Sequence, residues 1–268
     1  YNVVVGGSAG YDLTTGKENV LLGQGSGANL TVGAQNVCIG AYALDAADTE
    51  TDRNFNIAIG THALGAATAT CEYNVAVGHD ALALMNADVK NTAIGGLAGD
   101  SIVGGDGNTL LGYQAGAAIV DGANNTAVGD QAYYGGTGSS NTMVGSDTGQ
   151  TATGNDNVCV GSSAGLVLGD GPGNVLIGRA AGAAMTIGDY NIAIGYQAAD
   201  GMIGAANNNI AIGKSALGAT TGATSNNIAI GTDALSSQNT AASINLAIGE
   251  SAGQVITSGT KNVLIGHE

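Results

Sequence analysis

The side chains able to do chemistry are few and set apart. Three histidines, His62, His79 and His267, each stand one or two residues after a glycine, and His79 is followed by Asp80. A general acid–base pair must share a proton within hydrogen-bond reach. Neighbours on an extended chain point to opposite sides, so His79 and Asp80 are expected to form a poor dyad and all three histidines to be solvated surface groups. The cysteines, Cys38, Cys71 and Cys159, are too few and too widely spaced for a disulfide framework or a zinc site. The turns Gly104-Gly105-Asp106-Gly107 and Gly169-Asp170-Gly171 offer oxygens for calcium. They lack the nonapeptide spacing of calcium-binding β-rolls, and turn-forming aspartate accounts for them. Gly23 to Gly27 is glycine-rich without the helix that a phosphate loop needs. No Gly-x-Ser-x-Gly elbow sits in a strand–turn–helix context. The expectation is a non-enzymatic chain with no catalytic residue, no metal ligand and no cofactor; its receptor-binding residues are left unassigned.

What fills the sequence is a repeat. Asn, aliphatic or Thr, apolar, aliphatic, Gly occurs sixteen times, from Asn2-Val3-Val4-Val5-Gly6 to Asn262-Val263-Leu264-Ile265-Gly266, at intervals of 16 to 20 residues and most often 17. Such self-similarity over residues 1–268 means one solenoid domain of stacked units. The chain opens inside a repeat and reads as a segment of a longer one. Glycine supplies 47 of 268 residues, but not at every third position, and there is a single proline, which excludes collagen. No stretch approaches 18 uninterrupted apolar residues, so no transmembrane helix is expected. With 21 acidic against 6 scattered basic side chains, the chain should be repelled by nucleic acid and anionic membranes.

Each motif predicts a short strand. The third residue after Asn is β-branched in fourteen of sixteen copies, Leu22 and Leu111 being the exceptions, and such side chains suit a pleated backbone. The motif glycine is expected to bend the chain at positive φ or where backbones approach closely. A second short strand should follow, with a small residue three places past the glycine (Ala9, Ser26, Ala43, Ala63 and so on), and then a polar return loop. Stacked about 4.8 Å apart, the asparagines should form an amide ladder.

The middle motif residue is apolar in every copy: eight Ala, four Leu, two Cys, one Val, one Met. Both strand faces are therefore expected to be covered, one by the coil and one by identical chains. The Ala-rich middle position is assigned to the outer face, so that three coils meet about an axis with Ala211 on it and Cys38 and Cys159 as small apolar spacers. The acidic stretch from Asp45 to Asp52 should bulge outward, and tyrosines 42, 113, 133, 134 and 196 should be partly exposed.

The Asn-Ile-Ala-Ile-Gly units at 56, 191, 209 and 227, each followed by x-x-Ala, resemble head repeats of trimeric autotransporter adhesins. Fuller forms from Asn125 and Asn191 resemble repeats of bacteriophage tail fibres. The resemblance covers the whole chain. It implies a left-handed parallel β-roll of about sixteen rungs, trimerised along a fibre axis, extracellular on a bacterial surface or a virion, attaching to a cell-surface receptor or glycan. The period near 17 is longer than that of the adhesin heads. A self-assembling extracellular filament, stacking head to tail, is the alternative. An ice-binding solenoid is a third class, on the consecutive Thr92, Thr109, Thr126 and Thr142.

Overall fold

The computed structural model describes residues 1–45, 53–66, 71–86, 90–220, 222–237, 243–256 and 259–267. They fall into two units, Tyr1–Gly135 and Gly136–Glu268, each a parallel β-solenoid. Unit 1 carries β1 (Val3–Val5), β2 (Val20–Leu22), β3 (Val37–Ile39), β4 (Ile57–Ile59), β5 (Val75–Val77), β6 (Thr92–Ile94), β7 (Thr109–Leu111) and β8 (Thr126–Val128). Unit 2 carries β9 (Thr142–Val144), β10 (Val158–Val160), β11 (Val175–Ile177), β12 (Ile192–Ile194), β13 (Ile210–Ile212), β14 (Ile228–Ile230), β15 (Leu246–Ile248) and β16 (Val263–Ile265). Within each unit, every strand pairs in parallel with the next in sequence, motif residue opposite motif residue. Parallel neighbours need a connection of a dozen or more residues. One repeat supplies it and closes one coil.

The expected asparagine ladder is present. Within each unit, the Oδ1 of one motif asparagine accepts the backbone N–H of the next at 2.8–3.1 Å. It commonly accepts that residue's Nδ2 too, at 3.0–3.2 Å. Nδ2 also donates to a return-loop carbonyl, as from Asn19 to Gly33, Asn36 to Arg53 and Asn191 to Ala206, at 2.7–2.9 Å. A buried amide must find such partners. Asn157 departs from the pattern: its Nδ2 has none, while the Gly171 carbonyl accepts from Asn174. The proline, Pro172, stands beside that carbonyl.

The motif glycine is fixed by both causes. Its φ runs from +127° to +145° in all sixteen copies, and a Cβ there would sit 2.1–2.7 Å from the carbonyl oxygen of the next rung's motif glycine within each unit. No other residue fits.

The second strand is absent among the described residues; stacked turns replace it. Residues two and four places past the motif glycine are left-handed, as at Gln114 (φ 54°) and Gly116 (φ 62°) or Ser215 (φ 53°) and Leu217 (φ 52°). Positive φ at the third residue of a turn is the type II signature, and a strand cannot contain it. The turns still stack. The fourth residue past the glycine donates to the next rung and the second to the rung before, as in Leu217 N to Ala234 O and Ser215 N to Tyr196 O, both 3.0 Å.

The strand's orientation reverses the expectation. The middle residue is buried inside the coil from β2 to β15, including Leu21, Cys38, Ala58, Met143, Cys159 and Ala211. The first and third residues face outward. Inside, the middle residue meets the small residue three past the glycine (Ala43, Ala63, Ala98) and two further columns. One lies four past the glycine (Leu44, Leu64, Tyr133, Leu217). The other lies seven past it (Leu30, Met85, Ile102, Ile119, Leu168, Met185, Met202), a core column that the motif does not announce.

These columns share one volume. Rungs with Leu or Met in the middle of a described inner strand, Leu21, Leu110, Met143 and Leu176, have glycine four past the bend: Gly27, Gly116, Gly149 and Gly182. A Cβ on those glycines would lie 2.4–2.9 Å from the facing side chain. Rungs with Leu or Tyr at that place, Leu44, Leu64, Leu82, Tyr133, Leu217 and Leu235, have Ala or Cys in the strand. Interiors pack near crystal density, so each such coil holds one large side chain here, from one wall or the other.

Candidate functional site

The feature least explained by folding is the outward strand face. Its two columns are the first and third strand residues: Val20, Val37, Ile57, Val75 and Leu22, Ile39, Ile59, Val77 on β2–β5, for example. All are aliphatic except Thr92, Thr109, Thr126 and Thr142 in the first column, and none is charged. The side chains are half-buried to exposed, with Ile94 at 40% and Leu111 at 46% of full accessibility. At about 4.8 Å per rung and about 3.3 Å per residue, eight three-residue strands make a strip of roughly 38 by 10 Å in each unit. That is on the order of 380 Å², the size of the largest apolar patch on an ordinary monomer, which is often functional.

A left-handed column borders this face, at the residue before the motif asparagine, polar or glycine in most rungs and bulky in a few. Phe55, Tyr73, Tyr190 and Ile244 stand here, all left-handed (φ 56–62°) and 41–62% exposed. Phe55 and Tyr73 stack with ring centroids 4.8 Å apart and planes within 7°. Their rings cover each other between rungs.

The histidines divide. His62 Nδ1 lies 3.5 Å from Asp80 Oδ1, and His79 Nδ1 lies 2.9 Å from Asp80 Oδ2. The expectation that His79 and Asp80 point apart is thus overturned. Asp80 is a left-handed turn residue (φ 53°), so strand alternation does not apply. The Tyr42 ring stands 5.4 Å from that of His62. Both imidazoles are more than half exposed, and the shallow hollow beside them is lined by His62, Gly65, Ala66, Asp80, Ala83 and Leu84, with no hydroxyl or thiol side chain among them. His267 Nε2 lies 3.7 Å from Glu250 Oε2 at the surface.

Cys38, Cys71 and Cys159 are free and buried. Burial pushes the thiols of Cys38 and Cys159 up to about 12, so neither is the thiolate that nucleophilic or metal chemistry requires. Cys38 and Cys159 are spacers as expected, but inside their own coils and not between chains. Burial also raises Asp45, Asp100 and Asp200 above the usual carboxylate range. Asp170 accepts a hydrogen bond from the Thr153 hydroxyl. Among the described residues no three His, Cys, Asp or Glu side chains converge as a metal site would need.

Of the tyrosines read as exposed, Tyr42, Tyr113, Tyr134 and Tyr196 are, at 37–52%, whereas Tyr133 is fully buried. It occupies the core column four past the bend, opposite Ala127, and takes the place of the leucine found in other rungs. Tyr196 is held by Arg179, whose guanidinium stands 5.6 Å from the ring centroid and donates to the phenol oxygen at 3.4 Å. Of the acidic stretch, residues 46–52 lie outside the described residues. Gly-x-Ser-x-Gly does occur, at 6–10, 161–165 and 249–253. Its serines, Ser8, Ser163 and Ser251, are the left-handed third residues of turns (φ 57°), with no following helix among the described residues. No helix among the described residues is long and apolar enough to cross a membrane. No protein-family model matches this chain, and no curated protein matches it.

Proposed function

We propose that this chain is a non-enzymatic structural segment of an extracellular attachment fibre, of the trimeric surface adhesin or phage tail-fibre kind, assembled as a homotrimer through its outward strand faces. One observation carries the reading. A parallel sheet turns an uncharged, two-column, mostly aliphatic strip to the outside of each unit, while the motif asparagines are committed to the ladder inside.

Three points favour identical copies as the cover. The strip of each unit, on the order of 380 Å² of flat apolar surface, is large enough for an exposed patch of its kind to mark an interaction site. The strip is only two side chains wide. Three such strips can close as a triangular prism, the first columns of the three copies meeting about the axis and the third-residue columns flanking them, with cyclic symmetry and no free edge. The remaining surface carries the net charge of −15, which keeps copies apart except where the strip lets them meet. In this arrangement the outward turns, with Tyr42, Tyr113 and Tyr196, face solvent and are the surface open to a receptor or glycan.

Negative-stain electron microscopy of the purified chain tests the fibre-segment reading. Discrete particles of one length are expected. Indefinite filaments would instead support the self-assembling matrix reading.

A further inference from the structure

We propose that Thr92, Thr109 and Thr126 fix the axial register in which copies of the chain assemble. This rests on the trimer reading and concerns a problem which that reading creates. Rungs recur about every 4.8 Å, and an aliphatic strip made of near-identical rungs loses little contact if one copy slides by one rung against another. Repeated apolar patterns slip when nothing marks a level. Something in the strip has to distinguish one rung from the next.

The three threonines are that mark. They are the first residues of β6, β7 and β8 and pair directly, Thr92 with Thr109 and Thr109 with Thr126. Earlier in the unit the same column is Val20, Val37, Ile57 and Val75, and Val75 is the paired neighbour of Thr92. Threonine and valine share β-branching and size, so the strand gains nothing from the hydroxyl. Within the coil the hydroxyls do nothing: no Oγ1 of Thr92, Thr109 or Thr126 has a hydrogen-bond partner among the described residues, although the backbone N–H groups of Thr92 and Thr109 are each bonded to the next rung at 2.8 Å. They stand on the outward face, Thr109 exposed and the other two half-exposed. In an aligned trimer each of these levels holds three hydroxyls at one height, where each can donate to the next and accept from the third. A one-rung slip sets the β6 level against the aliphatic β5 level and leaves a hydroxyl buried without a partner, which is disfavoured. A polar residue in an otherwise apolar seam sets register in coiled coils by the same logic.

The test uses the full chain, carrying Thr142→Val in every version because Thr142 stands in the same column, with the three threonines replaced together by valine (T92V, T109V, T126V). Chains carrying Val37→Cys and Ile57→Cys, on adjacent rungs, are co-expressed in the parent and in the triple-valine background. Disulfides between copies are then identified by peptide mass spectrometry. In the parent trimer, same-rung disulfides should dominate. In the triple-valine trimer, the 37-to-57 product should rise several-fold toward the same-rung yield, and serine at the three positions should return it to the parent value. A triple-valine trimer with an unchanged ratio overturns the register assignment and leaves the trimer standing. A parent chain that sediments as a monomer removes the trimer reading and this proposal with it.

Discussion

The sharing of one interior volume between the strand and the turn is testable as a double-mutant cycle at Leu176 and Gly182. Leu176 is fully buried, and a Cβ on Gly182 would lie 2.8 and 2.9 Å from its two terminal methyls. Leu176→Ala empties that space and should cost about 2–5 kcal/mol. Gly182→Leu overfills it, at about 1–3 kcal/mol, and places a side chain on a left-handed residue (φ 60°), at roughly 1–2 kcal/mol more. The double variant recreates the Ala211 and Leu217 arrangement two rungs on, where Leu217 is left-handed at φ 52°. Its overfilling and its cavity cancel. It should lose only about 1–3 kcal/mol, mostly the left-handed cost. Urea denaturation of the four proteins reads the coupling, which should reach at least about 2 kcal/mol in the compensating direction. Losses that add to within about 0.5 kcal/mol would refute the shared-volume account.

Further outcomes follow from the same geometry. Gly213→Ala puts a Cβ 2.5 Å from the Gly231 carbonyl oxygen at φ 132°, so expression should yield no cooperatively unfolding protein by circular dichroism. Asn191→Ala removes the side-chain donors to Ala206 and Asn174 and the acceptor for Asn209. At about 1–3 kcal/mol for each buried group left unpaired, it should cost several kcal/mol in urea. Asn157→Ala should cost less, because its Nδ2 makes no bond. Cys38 and Cys159 should resist a thiol reagent at pH 8 until the chain unfolds. Their folded-state values, near 12 against 9.0 for a free thiol, favour the neutral form. Their contribution is therefore fully present below about pH 9 and is lost as pH rises from there toward 12, at roughly 1.4 kcal/mol per pH unit per thiol, as base titration of stability should show.

The repeat, the strand positions, the asparagine ladder and the glycine bend were all legible, because each needs one residue type at one place. The strand's inside and outside were not, because both faces are apolar and alternation carries no sign. The signal was nevertheless present. Leucine four past the bend occurs with Ala or Cys in the strand, and glycine there accompanies Leu21, Leu110, Met143 and Leu176, which means that both positions look into one cavity. The second strand was misread because leucine and alanine at 43–44 or 216–217 resemble strand residues. The tolerance of neighbouring rungs for Gly, Ser, Asp and Gln at the left-handed second position marks a turn. Tyr133 reads as a surface ring because it lies just past a bend, as Tyr42, Tyr113 and Tyr196 do. The outward strip follows from the strand's orientation and became visible only with it.

Sedimentation equilibrium of the parent chain beside Ile212→Lys and Ala211→Glu tests the central claim most directly. Ile212 faces outward on β13 and Ala211 faces the coil. The parent should give three times 25.8 kDa, Ile212→Lys a folded monomer, and Ala211→Glu a protein that loses its fold because a charge has entered the coil. A monomeric parent, or a trimer that survives Ile212→Lys while Ala211→Glu dissociates it without unfolding, would contradict the account.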